Sequence, residues 1–157
     1  MYTTLHPSPV GDILLRADAE GRLTDLHLRH NGARAMDGPF DAIREQLDAY
    51  FAGALDRFDV PMAAHGTDFQ KRVWDQLVQI PFGETISYSE LARRMGDPKL
   101  VRAVGVANGR NPISIIIPCH RVIGADGSLV GYGGGLERKK WLLEHEAVAS
   151  GRRLPVG

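Results

Sequence analysis

The sequence predicts an α+β fold, in which a small N-terminal α/β layer precedes a mainly helical C-terminal domain that contains a helix-turn-helix. Short stretches of alternating apolar residues are confined to the first 30 residues, whereas apolar residues at helical spacing dominate from Thr67 onward. The 157 residues are 43% hydrophobic, which is enough for a packed core. We expect one domain over residues 1–64 and a second over residues 65–157.

The N-terminal layer is predicted from three patterns. Apolar residues alternate over residues 13–17 and again over 26–28, on either side of a turn near Gly21, which predicts short strands. A helix follows from about Phe40 to Gly53, with apolar residues at helical spacing. Residues 57–60, just before Pro61, are a candidate for one more strand. We expect this layer to have a mainly structural role.

The C-terminal helices are marked by their capping residues. Thr67 with Gln70, and Ser87 with Glu90, have the spacing of capping boxes. The first helix carries an apolar face that includes Val73 and Leu77, and the second is expected to end at Gly96. Asp97 followed by Pro98 then starts another helix, which we expect to reach about Gly109. Two short helices joined by a tight turn resemble a helix-turn-helix.

The second of these helices has two distinct faces. Leu100, Ala103, Val104 and Ala107 share one face, and Arg102, Gly105, Val106 and Gly109 share the other. Each glycine costs a helix roughly 1 kcal/mol relative to alanine, so the glycines need a reason. We interpret them as allowing close approach to a partner on the side of Arg102.

The chemistry centres on the only cysteine, Cys119, which His120 follows directly. Residues 113–117 before it are typical of a buried strand. A nearby cation or imidazole lowers the pKa of a thiol. Neighbouring residues of an extended chain point to opposite sides, so contact between Cys119 and His120 requires a sharp turn or a relaying water. In the last predicted helix, over residues 136–148, Glu146 leans toward the apolar stripe and needs a partner, for which a histidine is suitable.

Charge and composition limit the class of protein. The net charge is zero, but residues 1–83 carry −4 (8 basic, 12 acidic) and residues 84–157 carry +4 (11 basic, 7 acidic), which favours an anionic partner for the C-terminal half. We expect no membrane span and no export signal, and therefore a cytoplasmic protein. One cysteine permits neither an internal disulfide nor a multi-thiolate zinc site. We expect no bound metal.

Four motifs carry a resemblance to a known family: Arg-Ala-Val-Gly at 102–105, Asn-Pro at 111–112, Pro-Cys-His-Arg-Val at 118–122, and Tyr-Gly-Gly-Gly-Leu at 132–136. Over about residues 67–146 the chain resembles the O6-alkylguanine-DNA alkyltransferases. The resemblance implies a ribonuclease H-like N-terminal layer. It also implies a methylated-DNA–[protein]-cysteine S-methyltransferase without cofactor, which flips the base out of the duplex. The alkyl group of O6-alkylguanine, and also of O4-alkylthymine, would move to the protein once per chain.

The resemblance implies roles in catalysis for five residues. Cys119 would accept the alkyl group, and His120 would act through a water as its base. Glu146 would orient His120, and Asn111 would hold the segment that carries the cysteine. Tyr88 would lie beside the flipped guanine and donate a proton toward it.

The resemblance further implies contacts with the base and with double-stranded DNA, bound in the minor groove by a monomer. Contacts with the base are implied for the Val122 carbonyl, the Gly133 N–H and the ring of Tyr132. Arg102 would replace the flipped nucleotide in the duplex. The other residues implied on the DNA face are Ala103, Gly105 and Ser89.

Two other classes of function remain open at the level of sequence. The same helix-turn-helix serves a DNA-binding regulator, which has no need of Cys119. A cysteine hydrolase built on Cys119, His120 and Glu146 would turn over many times. Labelled O6-methylguanine in DNA separates the three, because the label moves to the protein, is released to solvent or does not move.

Overall fold

A computed structural model of the protein describes residues 1–32 and 38–151. The N-terminal part contains an antiparallel sheet of three strands, β1 (Tyr2–His6), β2 (Ile13–Ala17) and β3 (Leu23–His27), in the order β1-β2-β3. The two strands predicted from alternation are therefore confirmed. In β2, however, Leu14 is buried together with Ile13 and Leu15, so both faces of the strand are covered.

Helix α1 (Asp41–Phe51) confirms the predicted helix and is fastened to β1 by side chains. Arg44 donates to the Thr4 hydroxyl at 2.7 Å, and the His6 ring lies 2.7 Å from Asp48. The buried face of α1 consists of Ile43, Leu47 and Tyr50.

The strand predicted over residues 57–60 is wrong. The Gln46 side chain accepts from the Asp59 backbone N–H and donates to the Asp59 carbonyl, both at 2.8 Å, so these backbone groups are already paired without a neighbouring strand. A single parallel bridge forms nearby instead, between Met62 and Leu23.

The next two helices are α2 (Asp68–Leu77) and α3 (Tyr88–Arg94), with the short strand β4 (Ile86–Ser87) before α3. The capping box of Thr67 and Gln70 is complete. The second predicted box is only half formed. Ser87 accepts from the Glu90 N–H at 3.0 Å, but the Glu90 carboxylate binds Arg93 and Arg94 rather than the backbone of the cap.

The helix-turn-helix is present. Gly96 has φ +96° after the end of α3, and Asp97 caps a 3₁₀ turn over Pro98–Leu100 that leads into α4 (Val101–Gly109). Helix α4 packs on α2 and α3, and the Trp74 indole donates to the Ala107 carbonyl at 2.9 Å. One assignment of faces is wrong: Ala103 is exposed, and Asn108 is buried with Val104 and Ala107.

Residues 113–117 form a turn, which corrects the strand predicted there. Asn111 closes it: its side chain accepts from the Ile113 N–H at 3.0 Å and donates to the Ile117 carbonyl at 2.7 Å. Ile115 accordingly has φ +71°. Only Ile113 makes a bridge, to Leu26 of the N-terminal sheet.

The chain then continues through a 3₁₀ turn (Cys119–Arg121) into β5 (Val122–Ile123), which pairs in parallel with β4. Helix α5 (Leu136–Ser150) includes the predicted helix and extends to Ser150. Buried apolar side chains from both halves of the chain form one continuous cluster. In the described part of the chain, no helix is long and apolar enough to cross a membrane.

The turn between α3 and α4 gives a first test. Gly96→Ala places a Cβ in a left-handed conformation and should lower the free energy of unfolding by about 1–2 kcal/mol, although no neighbour lies within 4 Å of the new methyl group. Gly109→Ala, at the end of α4 and equally open, is the control and should be neutral or stabilising by up to about 1 kcal/mol. Urea unfolding measures both. Equal effects would contradict the role of backbone conformation at Gly96.

Candidate active site

Cys119 begins a tight turn that Asn111 and Asn108 hold in place. The Arg121 N–H donates to the Pro118 carbonyl at 3.0 Å, which closes the turn. Asn111 binds the Ile117 carbonyl just before the cysteine, and the Asn108 amide donates to the Cys119 carbonyl at 3.4 Å. The cysteine side chain is only 5% exposed. Asn111 thus binds the backbone on the N-terminal side of the thiol-bearing turn.

His120 and Glu146 form the predicted pair. The His120 Nε2 atom lies 2.6 Å from Glu146 Oε2, and both side chains are almost completely buried. The other ring nitrogen, Nδ1, is buried and has no hydrogen-bond partner among the described residues. A neutral ring that donates from Nε2 to the carboxylate keeps a free lone pair on Nδ1, which can accept a proton.

Glu146 also binds three residues that the sequence did not single out for this purpose. Arg121 donates from Nε to Oε1 at 2.8 Å and from Nη2 to Oε2 at 3.2 Å. The Tyr50 hydroxyl, on α1, donates to Oε2 at 2.6 Å. The Gly83 N–H donates to Oε1 at 3.2 Å. Arg121 belongs to the cysteine motif, but no sequence signal connects Tyr50 or Gly83 with Glu146.

The charges of this group follow from its surroundings. Burial raises the pKa of Glu146, but the contacts with His120 and Arg121 outweigh it and hold that pKa well below its usual value. Burial lowers the pKa of His120, and the Glu146 carboxylate opposes this effect only in part. At neutral pH the pair is therefore a carboxylate and a neutral imidazole, which is the state required of a base.

Lys139 is a further residue that the sequence did not single out. It lies on the buried side of α5, and its ammonium donates to the Val122 carbonyl at 2.6 Å and to the Val130 carbonyl at 2.9 Å. Burial lowers the pKa of Lys139 to about 8. Burial also raises the pKa of the Cys119 thiol, which Asn111 and the charge of Lys139 counteract. The resting thiol is thus protonated and needs a base.

A cavity of about 100 Å³ lies beside Cys119 and adjoins a groove along α4. Asn111, Ser114 and Tyr132 line the cavity, and the Tyr132 hydroxyl is buried without a partner among the described residues. Residues just after β3 supply a further wall.

The groove is bounded by Tyr88, Gly105 and Gly133. Burial, together with the nearby Cys119, raises the pKa of Tyr88, so its hydroxyl keeps its proton; it donates to the Val130 carbonyl at 3.2 Å. Most of the predicted base-contacting residues therefore surround one cavity and groove. Val122 is buried, and its carbonyl accepts from Lys139 with one of two lone pairs.

The residues predicted to contact DNA lie on the outer surface of α3 and α4. Arg102, Ala103 and Ser89 are exposed, and Gly105 is half-buried with only the Tyr88 ring near the position of a Cβ. Among the described residues Arg102 has no ion-pair partner. Val106, 58% exposed, lies on the same helix. No group of three or more His, Cys, Asp or Glu side chains suited to a metal occurs in residues 1–32 and 38–151.

Two family models match the chain. The ribonuclease-like domain of 6-O-methylguanine DNA methyltransferase matches residues 1–64, and the DNA-binding domain of the same family matches residues 68–148. A methylated-DNA–protein-cysteine methyltransferase of Methanosarcina acetivorans is 48% identical over 155 residues, covering 93% of this chain and 98% of the relative. One from Mycobacterium leprae is 51% identical over 146 residues, covering 88% of each chain.

Solved structures agree with these relatives. The crystal structure of Mycobacterium tuberculosis O6-methylguanine methyltransferase has a TM-score of 0.85 and 46% identity, covering 94% of this chain and 93% of that one. The crystal structure of Mycobacterium tuberculosis OGT in complex with DNA has a TM-score of 0.87 and 49% identity, covering 95% of this chain and 94% of that one.

The ion pair of Arg121 and Glu146 gives the second test. Arg121→Leu leaves a buried carboxylate without its permanent cation and should lower the free energy of unfolding at pH 7 by about 3–5 kcal/mol. Arg93→Leu, which breaks an exposed pair with Glu90, is the control and should cost less than about 1 kcal/mol. Urea unfolding at several pH values measures both.

The loss of unfolding free energy caused by Arg121→Leu should shrink as the pH falls from 7 toward 5. With Arg121 present, the folded-state pKa of Glu146 is lowered, so the ionised carboxylate continues to stabilise the folded state until strongly acidic pH. Without Arg121, burial should raise the pKa of Glu146, and protonation on acidification then removes the buried charge. A loss that is independent of pH would show that Arg121 acts through packing alone.

Proposed function

Because the chain belongs to the 6-O-methylguanine DNA methyltransferase family, we propose that it moves the alkyl group of O6-alkylguanine in DNA onto Cys119 in a single turnover. Its activity is that of a methylated-DNA–[protein]-cysteine S-methyltransferase in direct-reversal DNA repair. The observation that carries the assignment to Cys119 is its buried thiol, which lines the cavity and directly precedes His120, the partner of Glu146.

The proposed step balances without any cofactor. A water carries the thiol proton to Nδ1 of His120, and the Cys119 sulfur attacks the alkyl carbon. The C–S bond forms as the bond between that carbon and O6 breaks, and Tyr88 donates a proton to the departing guanine. His120 then returns the thiol proton to Tyr88, so that, overall, a proton replaces the alkyl group on guanine. The thioether product is a very poor leaving group, so each chain reacts once.

The electrostatics support this sequence of proton transfers. Glu146 is already ionised and bound to Nε2, so the imidazolium that forms on His120 is stabilised without rearrangement. The Val122 carbonyl keeps a lone pair for the base beside its bond to Lys139, and the Gly133 N–H is in an exposed part of the loop. Both suit the proposed recognition of the base.

We further propose that α4 enters the minor groove of double-stranded DNA as part of a monomer. Ala103 and Gly105 present little bulk on the exposed side of the helix, which allows the backbone close to the duplex. Arg102 would enter the gap left by the flipped nucleotide, and Ser89 would contact the backbone from α3. The proposal includes repair of O4-alkylthymine and action in the cytoplasm. It also assigns a structural domain to residues 1–64 and the DNA-binding and alkyltransferase domain to residues 65–157.

Stoichiometry tests the assignment to Cys119. Duplex DNA carrying labelled O6-methylguanine should transfer one methyl group per chain, and peptide mass spectrometry should locate it on Cys119, because the thioether cannot be released. Cys119→Ser is the control and should take up no label. Methyl groups removed well beyond one per chain would support a hydrolase instead, and an unlabelled protein with intact DNA binding would support a regulator.

Arg102 gives a test of base flipping. Arg102→Ala should slow repair of duplex DNA by about a hundredfold, because compensation for unstacking amounts to a few kcal/mol. Reaction with free O6-benzylguanine, where the pocket admits it, should change little. Arg102→Lys should restore only part of the duplex activity, since lysine lacks the planar group.

Arg110→Ala is the matched control, since Arg110 is an exposed arginine at the end of the same helix. A residue that merely neutralises phosphate should change the salt dependence of binding by roughly one unit and little else. Equal slowing of the free base and the duplex by Arg102→Ala would refute the role in flipping.

A further inference from the structure

One contact links the N-terminal layer to the proposed proton relay. Tyr50 lies on α1, 96 residues before Glu146, yet its hydroxyl donates to Glu146 Oε2 at 2.6 Å. The same oxygen lies 2.6 Å from His120 Nε2. A neutral donor and the imidazole thus share one carboxylate oxygen.

We propose that Tyr50 is a positioning residue of the alkyl transfer. Its hydroxyl holds the Glu146 carboxylate in place and weakens the electrostatic attraction between that carboxylate and a protonated His120. The inference rests on the function proposed above, and it gives the N-terminal layer a part in the chemistry. The sequence had indicated a mainly structural role for that layer.

The ring of Tyr50 is fixed on several sides. Its side chain is fully buried, and it contacts the rings of Phe51, Phe58 and Phe82 with centroids 5.2, 5.4 and 6.0 Å away. The backbone is fixed as well, because His145 Nε2 lies 2.6 Å from the Tyr50 carbonyl oxygen. A side chain packed in this way directs its hydroxyl at one acceptor. Filling the core alone requires no hydroxyl, since phenylalanine has the same ring.

The chemical effect follows from the shared oxygen. The O–H group of Tyr50 stabilises the negative charge on Oε2 without adding a cation that would repel an imidazolium. Without it, Oε2 keeps His120 and the more distant Arg121 Nη2 group, at 3.2 Å, so more of its charge acts on His120. The protonated ring then becomes more favourable in the resting protein, and less neutral base is present at a given acidic pH.

Other titratable groups around the relay act in the same way in the parent protein and in a Tyr50 variant. They are Arg121 from the turn over Cys119–Arg121, Lys139 and His145 from α5, Cys119 itself, and Tyr132 from the glycine-rich segment 132–136. A change in the pH dependence on removal of the Tyr50 hydroxyl can therefore be compared directly with the parent profile.

The test is the pH profile of single-turnover transfer from duplex O6-methylguanine by Tyr50→Phe. The acid limb of the profile reports protonation of His120, and it should move to higher pH by about one unit, the size expected for one hydrogen bond to a charged group. At pH values below the acid limb, the rate of Tyr50→Phe should therefore be about tenfold lower than that of the parent protein. At pH values above the limb, the two rates should differ little. Affinity for the duplex should be unchanged.

Ile43→Val is the matched control. Ile43 is buried on the same helix, and the substitution removes one methyl group from the core. It should lower the thermal midpoint without moving the profile. The proposal is overturned where the Tyr50→Phe profile coincides with that of the parent or moves to lower pH. The parent protein is assayed first: if it takes up no methyl group, the proposed function fails, independently of Tyr50.

Discussion

The buried carboxylate of Glu146 is the group on which the rest of the structure depends. A charge removed from water is tolerated only when donors replace the water, and here the donors come from three distant parts of the chain. Tyr50 comes from α1, Gly83 from the loop after α2, and His120 and Arg121 from the cysteine turn. Satisfying this one group fixes how the N-terminal layer, the helices and the turn pack together.

The same requirement arranges the chemistry. Contacts with Arg121 and His120 keep Glu146 ionised, while burial keeps His120 neutral at rest and able to accept a proton. Burial opposes ionisation of the Cys119 thiol, so the proposed reaction relies on His120 as a base rather than on a preformed thiolate. The exposed Gly109 of α4 lines the same cavity as Cys119, which connects the surface proposed to face DNA with the buried thiol.

Local signals predicted the fold where the chain interacts mainly with itself. The complete capping box at Thr67, the glycine at 96 and the apolar periodicity of α1 and α5 were each read correctly, because caps and helix faces are decided within a few residues. The two failed strands, at 57–60 and 113–117, were decided elsewhere. In both, a single amide side chain, Gln46 or Asn111, takes up backbone groups that a sheet would otherwise bind.

By itself, the sequence determined the class of fold and the helix-turn-helix, and through the resemblance carried by its four motifs it predicted a nucleophile with a histidine and a glutamate. Only the tertiary structure decided that Tyr50 and Arg121 complete the environment of Glu146, and that Lys139 lies buried against two carbonyls. The physical reason is that periodicity and capping are short-range, whereas compensation of a buried charge is a long-range condition. It is met by whichever donors the packing brings within reach, irrespective of their distance along the chain.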